Sequence, residues 1–230
     1  MHFRAWVVAL GVLCAVGIAD VGSAQTINID FGDDAGTPSS TYAAAGVAGE
    51  WNSINDVSLP AVLTDVAGNL TAATMTVSPV DAFLDATNDQ STMGDEGALL
   101  RDFLRAGTGD MLTISFANLL PGEYRVLTYA VGPQTSPSMS WVWTNGMLGD
   151  NVVDLFGTTS NGLEMEMTHA EHFVTVDASG GLSVTIKGEG TSFVNGIQLI
   201  PVPLPGMVSM IGLAGVGAGC FGLRNGRRRT

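Results

Sequence analysis

The chain has 230 residues, with nine lysines and arginines against 22 aspartates and glutamates and a formal charge of −13 at pH 7. So acidic a composition repels phosphate backbones; it argues against nucleic acid as a partner and leaves cations, cationic surfaces or neutral glycans. Two cysteines, Cys14 and Cys220, are too few and too far apart in kind of sequence to frame a small disulfide scaffold.

At the start, Met1 to Arg4 give a short positive segment and Ala5 to Ile18 an apolar run, followed by the small residues Gly22-Ser23-Ala24. This pattern reads as a signal peptide over residues 1–24, with Gln25 as the new amino terminus. The run is short for a permanent span, and Asp20 follows it closely. Setting aside Arg4 and four arginines near the other end leaves Arg101, Arg105, Arg125 and Lys187 as the bases of the body. Against them stand 21 acids once Asp20 is also set aside, a net charge of −17. Both cysteines lie outside the body, which suits an oxidising compartment without a disulfide.

The body opens on Ile27-Asn28-Ile29-Asp30-Phe31, whose alternation predicts a half-buried strand. Asp30, Asp33 and Asp34 surround Gly32 at its end and form a candidate calcium site, since such a turn can offer carboxylates and carbonyls. Asp89, Asp95 and Glu96 make a second acidic group. Neither group has the spacing of an EF-hand loop, and solvated turn acids are the competing reading. Trp51, between Glu50 and Asn52, is a candidate sugar-stacking residue, with Tyr42 behind it.

Strands are predicted at 70–77, 111–118, 124–131, 139–144, 172–176, 182–187 and 193–200, with a helix within Glu96–Arg105 stopped by Gly107. Turns fall at Pro121-Gly122, Asn145-Gly146, Asn161-Gly162 and Gly180-Gly181, while Asn195-Gly196 reads as a bulge or close approach inside a strand. Trp141 and Trp143, two apart, project from one face of their strand near the Asn145-Gly146 turn. They are either a platform for the apolar face of a sugar ring or filling of the sandwich core. His169-Ala170-Glu171-His172 matches neither H-E-x-x-H nor H-x-x-E-H, being one residue too short for the second, and a strand would point His172 away from His169 and Glu171; surface strand residues are its default reading. The body contains no cysteine nucleophile and no G-x-S-x-G elbow. Its many carboxylates leave a glycosidase, which needs two of them, open. One all-β domain over residues 25–200, an antiparallel β-sandwich of jelly-roll type with one short helix, accommodates these elements.

After Pro201, Val202-Pro203-Leu204-Pro205 forms a hinge, and the uncharged segment from Met207 to Leu223 follows. As a helix it extends about 25 Å, a marginal transmembrane span. Arg224, Arg227, Arg228 and Arg229 then hold its end on the cytoplasmic side. This order of hinge, short span and basic end resembles the PEP-CTERM sorting signal of Gram-negative bacteria, over residues 201–230. The resemblance implies an exosortase-type processing enzyme acting at Val202–Pro205, although the commoner motif has Glu where Leu204 stands. An ordinary, unprocessed membrane anchor is the alternative.

The opening Ile-Asp-Phe-Gly strand, the Leu-Leu-Arg-Asp-Phe stretch, Asn-Leu-Leu-Pro-Gly-Glu-Tyr-Arg-Val and the closing Val-Asn-Gly-Ile-Gln-Leu strand resemble malectin-like and galactose-binding-like carbohydrate modules. That likeness implies a jelly roll and a polysaccharide partner. Together these features read as an exported, non-enzymatic surface or extracellular-matrix protein with a glycan-binding or structural body. A carbohydrate-active hydrolase using paired carboxylates is the alternative.

Overall fold

Alternating apolar residues dictate strands, and the computed structural model shows which faces those strands share. It describes residues 25–88, 91–133, 139–145, 151–158 and 161–203. Residues 1–24, where a signal peptide is predicted, lie outside the described residues, as do Leu204, Pro205, the predicted span and Arg224, Arg227, Arg228 and Arg229. Among the described residues no helix is long and apolar enough to cross a membrane.

In chain order the elements are β1 (Ile27–Phe31), β2 (Trp51–Ile54), β3 (Ala61–Thr64), β4 (Leu70–Ser78) and β5 (Phe83–Ala86). Helix α1 (Gly94–Arg101) leads directly into β6 (Asp102–Thr108), followed by β7 (Met111–Ala117), β8 (Gly122–Tyr129) and β9 (Ser140–Thr144). The chain continues through β10 (Val153–Leu155), β11 (His169–Val176), β12 (Leu182–Gly188), β13 (Thr191–Val194) and β14 (Gly196–Pro201). They form a five-stranded sheet β11-β8-β14-β1-β2, a six-stranded sheet β10-β9-β12-β7-β4-β3, and a small sheet β13-β6-β5. The fold is an all-β sandwich of jelly-roll type with one short helix. Every pairing is antiparallel except that of β1 with β2.

The inward residues of the two large sheets make the main core. Ile27, Ile29, Phe31, Val126 and Leu199 from one sheet meet Leu112, Ile114, Val142, Val184 and Ile186 from the other. Each such side chain, fully buried, contributes about 1.5–3 kcal/mol. A second cluster covers the opposite face of the five-stranded sheet, where Leu99 and Leu100 of α1 pack with Trp51, Leu127, Tyr129 and Val131. β1 is therefore buried along its whole length rather than half-buried. Its apolar residues face the sandwich, while Asn28 and Asp30 face the second layer.

Asn28 is fully satisfied there. Gln198 donates to Asn28 Oδ1 at 2.9 Å, and Asn28 Nδ2 donates to the Val47 carbonyl at 3.0 Å. Tyr129 donates its hydroxyl proton to Gln198 Oε1 at 2.7 Å and accepts from the Ala45 amide at 2.9 Å. This network fastens the 42–47 segment over the sheet.

The helix stops earlier than its apolar pattern predicts, at Arg101 instead of Arg105. Asn195 Nδ2 donates to the carbonyls of Leu100 and Asp102, at 2.9 and 3.1 Å, and the Thr87 amide takes the Arg101 carbonyl at 2.9 Å. With those acceptors claimed, Phe103 and Leu104 enter a strand, and Phe103 meets the Phe193 ring edge-on at 5.1 Å. The predicted 193–200 strand divides at Asn195, where the chain passes from the small sheet to the five-stranded one. Asn195-Gly196 is thus a close approach and not a turn: a Cβ on Gly196 would come within 2.6 Å of the Ile29 carbonyl oxygen. β8 and β11 each begin before their predicted starts. At the far end β14 runs to Pro201, and the Val202 amide still donates to the Glu123 carbonyl at 2.8 Å. Pro203, which cannot donate, follows at once.

Candidate functional site

The outer face of the six-stranded sheet collects the chemistry suited to a ligand. Val142 points into the sandwich core, so strand alternation turns Trp141 and Trp143 outward together, as their spacing predicts. Register then fixes their neighbours. Trp141 lies between Asp154 of β10 and Lys187 of β12, and Trp143 lies beside Thr185, which in turn faces Thr113 of β7. The Thr113 and Thr185 hydroxyls share a hydrogen bond of 3.2 Å. One row further on, Asn145 Oδ1 accepts from the Ser183 amide at 2.7 Å, closing the strand end. The face is an aromatic pair set among hydroxyls, one ammonium and one carboxylate.

The two indoles differ in access. Trp143 is 3% exposed, although it belongs to neither core cluster, whereas Trp141 is half-buried and Asp154 is exposed. Trp141 is the less buried of the two indoles. Beyond Asp154 a cleft of about 530 Å³ opens, lined also by Phe156, Met165, Glu166 and Met167. A second, of about 340 Å³, lies between Val153 and the edge strand β11, against Glu171, His172 and Phe173.

Trp51 is not part of this face. It is 7% exposed in the second core cluster, donates its indole N–H to the Tyr42 carbonyl at 3.3 Å, and lies 6.3 Å from the Tyr42 ring. Its place at the head of β2, against α1, makes it a packing residue rather than a sugar platform.

The three aspartates of the candidate calcium site do not assemble as one set of ligands. Asp33 and Asp34 are exposed, and Asn55 donates to Asp33 Oδ2 at 3.0 Å. Asp30 is fully buried, and neither of its carboxyl oxygens has a hydrogen-bond partner. Its buried neighbour is Asp102, which sequence reasoning passed over as part of the helix. Asp102 Oδ2 accepts from the Ala35 amide at 2.7 Å, while its Oδ1 is unpartnered. Calcium takes six to eight oxygens; three unpartnered carboxyl oxygens fall short, and among the described residues no group of three His, Cys, Asp or Glu side chains could hold a metal ion. A proton suits the pair better. Burial first, then the charge of Asp102, pushes Asp30 up to about 9, and burial raises Asp102 to about 6. At neutral pH Asp30 is a neutral carboxylic acid. Of the other acidic group, Asp95 accepts from the amide and hydroxyl of Ser39, both at 2.8 Å, while Asp89 lies outside the described residues.

The His169–His172 stretch is buried, contrary to the surface placement expected of it. The His169 ring lies 5.6 Å from that of Tyr129, and His172 Nε2 bonds the Asn151 carbonyl at 2.7 Å on the opposite side of the strand. Glu171 is held by Arg125 at 2.7 Å. Burial lowers both imidazoles from their ordinary range.

No family model matches the chain, and no curated protein matches it. Among solved structures, a Bacteroides uniformis beta-glucuronidase is 11% identical over 77% of this chain and 18% of its own, with a TM-score of 0.45. The ANXUR2 extracellular domain from Arabidopsis thaliana is 13% identical over 78% of this chain and 42% of its own, at 0.46. A family 35 carbohydrate binding module from Clostridium thermocellum is 13% identical over 56% of this chain and 92% of its own, at 0.34. The chain thus spans under a fifth of the glucuronidase, and at these identities the likeness concerns backbone architecture alone.

Proposed function

We propose that this is an exported surface or extracellular-matrix protein whose sandwich binds polysaccharide on the outer face of its six-stranded sheet. One observation carries the reading: Trp141 stands half-open on that face, with Asp154 and Lys187 on either side of it in register. An indole face takes the C–H face of a pyranose ring, and the flanking polar groups take its hydroxyls. The assay is glycan-array binding by the full chain in mild detergent. Binding that disappears in Trp141→Ala supports the platform; full binding by that variant refutes it.

Sorting completes the proposal. The signal peptide delivers the chain across the membrane, the tail holds it there, and an exosortase-type enzyme acts at the Val202–Pro205 hinge. Mass spectrometry of both ends of the mature chain from native cells tests this, since a chain still carrying Arg227 to Arg229 refutes processing. A hydrolase is the second reading, because Asp154 and Glu166 line the same cleft and glycosidases work with two carboxylates. Polysaccharide turnover abolished by Glu166→Gln would establish it over the binding module.

A further inference from the structure

Lys187 is the one body lysine, and its surroundings are unusual for so acidic a protein. Of the other bases, Arg105 pairs with Asp85 at 3.1 Å while its guanidinium covers the Phe83 ring at 4.3 Å. Arg125 pairs with Glu171 at 2.7 Å, and Arg101 donates to the Thr87 carbonyl at 3.4 Å. Lys187 has no ion pair among the described residues. It is half-buried in the middle of the sheet, directly across from Trp141 on one side and from Met111 on the other. Among the described residues, then, a cation without an ion pair stands beside the least buried indole, in a body with 21 acids.

We infer that Lys187 makes this face selective for an acidic glycan: a sugar stacked on Trp141 presents its carboxylate to the Lys187 ammonium and its hydroxyls to Asp154. This rests on the platform reading above. The row Asp154–Trp141–Lys187 covers two interstrand steps, about 10 Å at about 4.8 Å each. That is room for one ring over the indole with an opposite polar group at each end. The two ends are chemically distinct. A carboxylate accepts hydrogen bonds only, so Asp154 takes sugar hydroxyls; an ammonium donates three and carries charge, so Lys187 takes an anionic oxygen most strongly. The charge of Asp154 also turns the ligand, because it repels a carboxylate placed at its own end. The rest of the acidic surface opposes long-range approach of a polyanion, but beyond about 8 Å that repulsion is largely screened at physiological ionic strength, so the short-range contact with Lys187, which weakens only as salt is raised further, decides.

The test uses the full chain against oligosaccharides of uronic acids and, as matched probes, the same oligosaccharides with the carboxylates methyl-esterified. Wild type is expected to prefer the acid over the ester by about tenfold, the worth of one charge-assisted contact. Lys187→Gln should bring that ratio to about one by removing the extra affinity for the acid, and Trp141→Ala should abolish binding of both. Raising the salt should weaken only acid binding, and only in wild type. Neutral or esterified glycans bound through Trp141 with no preference for the acid would overturn this inference and leave the platform standing. An acid preference unchanged in Lys187→Gln would also overturn it, and no binding of any probe would overturn both.

Discussion

Asp30→Asn is the substitution with the clearest quantitative consequence. In the unfolded chain Asp30 ionises near its ordinary 3.8, whereas in the fold it holds its proton to about 9. Between those values the native state binds one proton that the unfolded state has lost. Stability then falls with rising pH, at about 1.4 kcal/mol per pH unit. The contribution is complete below 3.8 and lost as pH rises through 9. Asp102, raised to about 6, adds a loss of the same sign only below that point. The buried histidines act oppositely, but with an ordinary pKa of about 6.5 the unfolded imidazoles are already mostly neutral at pH 7 and offset only a few tenths of a kcal/mol above it. The interval from pH 7 to 8.5 therefore isolates Asp30, and wild type is expected to lose about 2 kcal/mol across it. Asparagine has the same shape and does not titrate. Urea unfolding followed by tryptophan fluorescence at pH 7, 7.5, 8 and 8.5 measures both proteins. A flat profile for Asp30→Asn beside a falling one for wild type is expected. Parallel profiles would refute the claim that this carboxyl is buried and neutral.

Three further outcomes follow from the buried polar groups. Asn195→Ala strands the Val131 amide and the Leu100 and Asp102 carbonyls, and should cost roughly 3 kcal/mol in urea unfolding. Tyr129→Phe removes the acceptor for the Ala45 amide and the donor to Gln198. It should cost about 1–2 kcal/mol and speed limited proteolysis within residues 42–47, read by mass spectrometry. His169 and His172 have folded pKa values below their unfolded ones, so their own contribution to stability falls as pH drops below about 6.5, where the unfolded chain takes up protons first, against the gain from Asp30 and Asp102. NMR titration should find both rings taking up their protons at lower pH than an ordinary histidine.

The long alternating strands were legible because two-residue periodicity is a property of the sequence itself. β4, β7, β9 and β12 lie within a residue of their predicted limits. The stretch from Leu99 to Arg105 shows where local pattern fails. Its apolar spacing suits a helix, but the helix ends where Asn195, more than ninety residues away, captures the Leu100 carbonyl. No window around α1 contains that information. The short strands β2, β3, β5 and β10, of three or four residues, were missed for a related reason: they are too brief to show a period and form only because a neighbouring ladder supplies their bonds. Asp102 went unnoticed as Asp30's partner through the same helical reading.

The tryptophans mark the boundary of what a sequence discloses about a site. Alternation says that Trp141 and Trp143 share a face, and they do. It does not say which layer that face adjoins, and a strand in a sandwich has one face toward the core and one that other segments cover to differing degrees. Trp51 fails as a platform because the face it occupies meets a second layer, built by α1 and the segment at Tyr42–Ala45. Trp141 stays half-buried on the outer face of the six-stranded sheet, at the next-to-edge strand, where Trp143 two residues on is covered. The discriminating signal lay in the partners rather than in the tryptophans. On this face β12 and β7 place Ser183, Thr185 and Lys187 opposite Ser115, Thr113 and Met111, all but Met111 polar. A run of polar residues at alternate positions on two paired strands is what an open face requires, and it can be read once the pairing is known. Pairing register is therefore the one piece of structure that turns two tryptophans in a sequence into a site.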